Sequence, residues 1–145
     1  MARISITEIE EICAAELAWV AMLGLSVEEI GEGTARVRLP HDRRWLRPGG
    51  TVNGPALMSL ADFAMWVAVL SAIGRVELAA TTTLTCNFLR RPPAADVIGT
   101  ARLIKLGKRL AYGEVSMYCE GVDTDPVAHV TATYSIPPPQ AREGN

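Results

Sequence analysis

The chain is poor in the residues that mark several common chemistries. It has two histidines, His41 and His129, far apart in sequence, and three cysteines, Cys13, Cys86 and Cys119, with no CxxC pair. Neither set has the spacing of zinc ligands, so no metal site is expected. An odd number of isolated thiols in apolar surroundings reads as reduced, buried cysteine in a cytoplasmic protein. Basic residues are not in excess. Fourteen Lys and Arg against sixteen Asp and Glu leave a formal net charge of −2, which argues against a nucleic-acid partner. A G-x-S-x-G elbow, a P-loop and an H-E-x-x-H helix are missing. The G-x-G of Gly31-Glu32-Gly33 leads into a strand pattern rather than a helix, so it fails as a dinucleotide fingerprint. The first two dozen residues carry acids throughout and lack the basic-then-apolar layout of a signal peptide.

What is present fits one domain, 1–145, of mixed α+β class, since 145 residues bury one core but are too few for two ordinary ones. An amphipathic helix is expected over about 5–23, with Ile6, Ile9, Cys13, Leu17 and Val20 near helical spacing. Thr7 is a candidate cap and Gly24 a stop. Residues 26–40 read as a hairpin turning at Gly31 and Gly33. Leu78 to Arg91 alternates, with Leu78, Ala80, Leu84, Cys86 and Phe88 on one face and Thr81, Thr83, Thr85 and Asn87 on the other. Three further strands follow in VIGTARLIKLG, RLAYGEVSMYCE and PVAHVTATYSI, and 137–145 reads as a loose tail.

Between the hairpin and the threonine-rich strand lies the most apolar stretch, NGPALMSLADFAMWVAVLSAIG, residues 53–74. As a helix it would run about 30 Å, enough to cross a bilayer. Ser59 and Asp62 within it, its alanine padding and the strands around it favour a helix enclosed by a soluble core instead. About six strands wrapped on that helix would enclose it. A lone carboxylate in such a setting is costly unless paired, protonated or functional.

The start of this helix offers the partner chemistry. Asn53 is a good N-cap, and Pro55 suits the first helical position because its missing N–H is not needed there. Gly54 has no side chain to obstruct its amide, which points out from the positive end of the helix and can hold a developing oxyanion. Asp62 lies two turns further on, on the face shared by Pro55, Ser59 and Trp66. Cap, amide and carboxylate are therefore expected to line one pocket.

From about Gly49 to Ile136 the chain resembles the hotdog-fold thioesterases of the phenylacetate-degradation (PaaI-like) and 4-hydroxybenzoyl-CoA thioesterase type. That pattern is H-G-G, an apolar helix with an acid nine residues after the His, and a strand ending N-F-L-R-P. Here Asn53, Gly54 and Pro55 stand at the H-G-G positions, Asp62 stands at the acid, NFLRRP follows, and KLGKRL resembles the later glycine-basic turn. The resemblance implies a hotdog fold, an antiparallel sheet of about six strands around the long helix to which the amphipathic N-terminal stretch adds an extra helix, and hydrolysis of a small to medium acyl- or aryl-CoA thioester. It implies Asp62 as nucleophile or general base and the Gly54 amide as oxyanion donor, with Thr81 or Thr82 as a hydroxyl that orients water. It further implies a homodimer or homotetramer with shared sites, and no cofactor, coenzyme A being part of the substrate. Asn53 in place of His loses a titrating imidazole but keeps capping and hydrogen bonding. Pro55 in place of Gly removes one donor.

Each assignment has a plainer alternative. Asp62 could be a structural carboxylate, which would leave a non-catalytic acyl-CoA binding or sensing protein on the same scaffold. Arg90, Arg91, Lys108 and Arg109, with Lys105, are either a phosphate clamp for coenzyme A or solvated strand ends. Trp66, Met58, Met65 and Phe63 either line an acyl pocket or fill the core. Neither histidine lies near the helix motif, so a dehydratase that pairs an acid with a catalytic His is not expected.

Overall fold

A computed structural model describes residues 1–142. Two helices, α1 (Ile6–Glu16) and α2 (Ala18–Leu23), precede the hairpin β1 (Ser26–Gly31) and β2 (Thr34–Leu39). A 3-10 turn (Arg43–Trp45) and the short hairpin β3 (Leu46–Arg47) and β4 (Thr51–Val52) lead into α3 (Gly54–Ile73). Then come β5 (Ala80–Phe88), β6 (Val97–Leu106), β7 (Leu110–Cys119), β8 (Ala128–Ser135) and a terminal turn, α4 (Pro139–Arg142). Part of the expected tail thus has structure, and 143–145 lie outside the described residues.

The expected N-terminal helix is broken at Leu17, which ends α1 and begins α2 without any side-chain cap. No Gly or Pro marks the break, so the local sequence gives no signal for it. Ser5, not Thr7, caps α1, in a capping box with Glu8. Gly24 ends α2 in the left-handed conformation, φ 71°.

Six strands form one antiparallel sheet in the order β1-β2-β6-β7-β8-β5, and α3 packs along its inner face. Ala61, Ala64 and Ala68 of α3 are fully enclosed, as are Leu60, Met65, Val67 and Leu70. The helix is long and apolar enough to cross a membrane, yet most of it is buried inside this fold. Small residues let helix and sheet approach closely. A Cβ on Gly113 of β7 would lie 2.6 Å from both the Arg102 backbone carbonyl and the Met65 methyl, so only glycine fits there. Ser71 is the buried polar side chain among the described core residues. It accepts the Gly33 N–H at 2.9 Å and donates to the Ala68 carbonyl at 2.6 Å, tying the β1–β2 turn to α3. Of the three free cysteines only Cys119 is buried; Cys13 and Cys86 are half-buried.

The alternation expected along β5 is interrupted. Thr81 pairs with Tyr134 and Thr83 with Thr133, so Thr82 is an extra residue, a β-bulge. Tyr134, Ala132 and Val130 of β8 face the core, so their partners Thr81, Leu84 and Cys86 face inward too. The bulge therefore moves Thr81 off the face of Thr83, Thr85 and Asn87 and turns it toward α3.

Candidate active site

Asp62, in the second turn after the start of α3, is only partly enclosed and lies beside the bulge. Thr81 Oγ1 donates to its Oδ1 at 2.6 Å, and the Tyr134 hydroxyl reaches the same oxygen at 2.6 Å. Tyr134 OH also lies 2.9 Å from the Asp62 backbone carbonyl. Tyr134 is buried, and burial first, then the neighbouring carboxylate and its hydrogen bond, hold the phenol well above the ordinary tyrosine range. It therefore remains a neutral donor at physiological pH. Among the described residues Oδ2 accepts no hydrogen bond. The carboxylate is thus gripped by one oxygen, and Asp62 lines a cavity of about 450 Å³ with Trp19, Met58, Ser59, Thr81 and Leu84.

The N-terminus of α3 follows the expected design. Asn53 Oδ1 accepts the Ala56 N–H at 2.8 Å, and the Asn53 N–H donates to the Trp45 carbonyl at 2.7 Å. Pro55 stands in the first turn. Gly54, the first helical residue, has no intrahelical acceptor for its amide. It lines a second cavity of about 450 Å³ with Arg47, Thr51, Phe88, Arg90 and Arg91. A Cβ on Gly54 would come within 3.2 Å of the Phe88 ring. Three guanidinium groups and a helix N-terminus make this cavity suited to anions.

Several expectations need correction. Gly54 and Asp62 do not share a pocket within one chain. Eight residues of helix, about 12 Å, separate them, and they open into different cavities. Thr82 turns away from Asp62 and donates to the Thr133 carbonyl at 3.0 Å, because it is the bulged residue. Trp66 is core, stacked on Phe63 at 5.9 Å with its N–H 3.4 Å from the Glu77 carbonyl, and Met65 and Phe63 are buried with it. The four basic residues do not converge. Arg90, held by the Pro126 carbonyl at 2.8 Å, and Arg91 sit beyond the Phe88 end of β5. Lys108 and Arg109 sit at the β6–β7 turn beside its Ala80 end, where the Arg109 carbonyl accepts the Ile136 N–H. His129 lies on the outer sheet face, 3.2 Å from Glu114, and His41 donates its backbone N–H to Asp96.

Tyr134, Trp19 and Arg47 were not singled out by sequence. Tyr134 had a signal: an inward tyrosine on an alternating strand needs a partner for its hydroxyl. Trp19 and Arg47 had none, since their positions depend on the Leu17 break and the β3–β4 hairpin.

Comparison with known proteins is consistent across three kinds of match. Residues 49–125 match the model of the thioesterase superfamily. A Halobacterium salinarum protein with a provisional esterase designation is 32% identical over 103 residues, 68% of each chain. The structure superposes with TM-score 0.84 on a Silicibacter protein provisionally designated a thioesterase, at 38% identity over 95% of both chains. It also superposes on a mutant form of the phenylacetic acid degradation protein PaaI of Thermus thermophilus. There the TM-score is 0.73 and the identity 28%, over 83% of this chain and 99% of that one.

Proposed function

The chain belongs to the thioesterase superfamily, and from that premise we propose that it hydrolyses acyl-coenzyme A thioesters at sites completed by a second copy of itself. The observation that carries this reading is the divided carboxylate: Oδ1 of Asp62 takes both hydroxyls, leaving Oδ2 to act. Oδ2 either deprotonates a water that attacks the thioester carbonyl, or attacks it directly to form an anhydride that water then opens. In both routes the carbonyl oxygen gains the negative charge, the C–S bond breaks, and coenzyme A leaves as the thiol with the proton taken from water.

That charge needs a donor, and the Gly54 amide is too far along its own helix. Strand order supplies the remedy. β5 is an edge strand of nine residues, about 26 Å long, with Gly54 packed against its Phe88 end and Asp62 against its Thr81 end. Antiparallel pairing of β5 with β5 of a second copy, about a two-fold near Leu84, brings the Phe88 end of one chain to the Thr81 end of the other. The Gly54 cavity of one copy then meets the Asp62 cavity of its partner. The same operation carries Lys108 and Arg109 toward the cavity that holds Arg47, Arg90 and Arg91 of the other copy. In this reading those cations hold the phosphates of coenzyme A.

The test is thiol release from a panel of acyl-CoAs by the parent and by Asp62→Asn, which keeps shape while removing the charge. A loss in turnover of about a hundredfold or more is expected, with thioester binding retained. Equal turnover in the variant would move the chemistry elsewhere. Binding without turnover in the parent would make the protein an acyl-CoA binding module.

A further inference from the structure

We propose that the indole of Trp19 is the end wall of the acyl pocket and sets the length of acyl chain the protein accepts, with a half-open apolar pocket beyond it. This rests on the thioesterase reading of the Asp62 cavity. Trp19 lines that cavity together with Asp62, Met58 and Leu84. An acyl group whose carbonyl lies at Oδ2 has its polar end there and extends along these apolar side chains.

What stops it is an aromatic stack. Trp19 meets Phe63 edge-on, with ring centroids 6.1 Å apart and planes at 84°, and Phe63 in turn stacks on the buried Trp66. Phe63 is 2% exposed, whereas Trp19 is 37% exposed. The row thus runs from the cavity wall into the core, and the indole is braced from behind. Its backbone is braced as well. α2 begins at the uncapped break at Leu17 and ends at Gly24, whose positive φ and closeness to Pro40 leave no room for a side chain.

Beyond this wall is a half-open pocket of about 230 Å³, lined by Ile9, Cys13, Val20, Val27 and Phe63 and rimmed by Glu10 and Ser26. Its lining is chiefly apolar, and no element of the described chain fills it. Trp19 faces the catalytic cavity while Val20, the next residue, faces the pocket. The turn of α2 and the Phe63 ring are therefore the partition between the two spaces. Removing the indole takes away the side of that partition that faces Asp62 and lengthens the catalytic cavity toward Phe63 and the apolar pocket beyond it.

The experiment measures kcat/KM for straight-chain acyl-CoAs of increasing length with the parent and Trp19→Ala, alongside binding of the matching non-hydrolysable thioethers. Each additional methylene buried is worth about fourfold. Chains beyond the parent's cut-off should therefore gain about tenfold or more in the variant relative to the shortest acyl groups. Phe63→Leu, which keeps a buried apolar side chain, should give a smaller extension of the same kind. Adding Ala14→Leu, at the pocket wall, to Trp19→Ala should cancel the gain. An unchanged length profile in both turnover and thioether binding would overturn the wall. A parent that binds the thioethers but hydrolyses no thioester overturns the thioesterase reading instead, and the binding ladder still decides the wall.

Discussion

At one edge of the sheet, β1 presents SVEEIG, six residues with consecutive glutamates and a bulge between Val27 and Glu29. At the other, β5 presents ATTTLTCNF, nine residues without a charge. Both strands leave a row of backbone donors and acceptors unpaired within the chain. β1 is sealed against strand addition by shortness, irregularity and charge, with Glu28 engaged by Arg36 at 3.1 Å and Arg38 at 2.7 Å. β5 has a bulge too, but it lies at Thr82, near one end, and serves to aim Thr81 at Asp62. The rest of β5 is long, regular and neutral. One edge is finished; the other is left open, and the candidate chemistry lies against that one.

Charging the open edge should have the largest effect. In the two-fold pairing Thr83 lies opposite Thr85 of the second copy, so Thr83→Lys with Thr85→Lys sets like charges face to face. Loss of the partner's oxyanion donor should then cost turnover on the order of a hundredfold, and light scattering should report the dissociated chain. The matched pair on the finished edge, Ser26→Lys with Glu29→Lys, should leave both mass and turnover as they were. Equal effects at the two edges would erase the distinction.

The inner end of β5 and its β8 partner can be probed by removing single hydroxyls. Tyr134→Phe deletes one of the two bonds to Asp62 Oδ1 and should lower kcat about tenfold with KM held, as should Thr81→Val. A rise in KM alone would show that these hydroxyls bind substrate rather than hold the carboxylate. A smaller change is expected at the turn beside the Ala80 end. Lys108→Ala with Arg109→Ala should raise KM for acyl-CoA several-fold at low salt and less at high salt, with kcat unchanged. A short thioester without the nucleotide should not distinguish the two proteins.

The finished edge should reveal itself only in acid. Glu28 is held below the usual carboxylate range, chiefly by its hydrogen bond from Arg38. Asp96 is held below it by the His41 amide and then by Arg38. Folded-state values below unfolded ones mean that this stabilisation is complete above about pH 4.3 and disappears as pH falls through the depressed values. These side chains are partly exposed at the surface, where solvent screens the pairs, so the effect is small. Arg38→Gln should flatten the acid fall of Tm by a few degrees at most, and an identical Tm profile would show that the pairs contribute nothing.

The strands, the enclosed helix and its cap were legible in the sequence because each rests on local pattern: alternation in β8, an unbroken apolar run in α3, Asn53 before Gly54-Pro55. Asp62 was legible for the opposite reason, as the one residue that contradicted its surroundings. What could not be read was relational. The bulge at Thr82 depends on which residues of β8 face the core, and it decides that Thr81 rather than Thr82 meets Asp62. The break at Leu17 follows from packing, not from any breaker, and it brings Trp19 beside the site while Trp66 stays in the core. The separation of Gly54 from Asp62 follows from helix rise, but the two cavities appear only once β5 lies between them.

That separation has a genetic meaning. If each chain contributes an acid to one site and an amide to the other, the two functions are separate lesions that need not be repaired in the same molecule. A chain carrying Asp62→Asn and a chain carrying Gly54→Pro, which lacks the amide, would each be inactive alone. Expressed together, they would form mixed pairs in which one site has both substitutions and the other has neither. Random pairing would restore about a quarter of the parental sites. Two inactive alleles would then complement each other within a single gene.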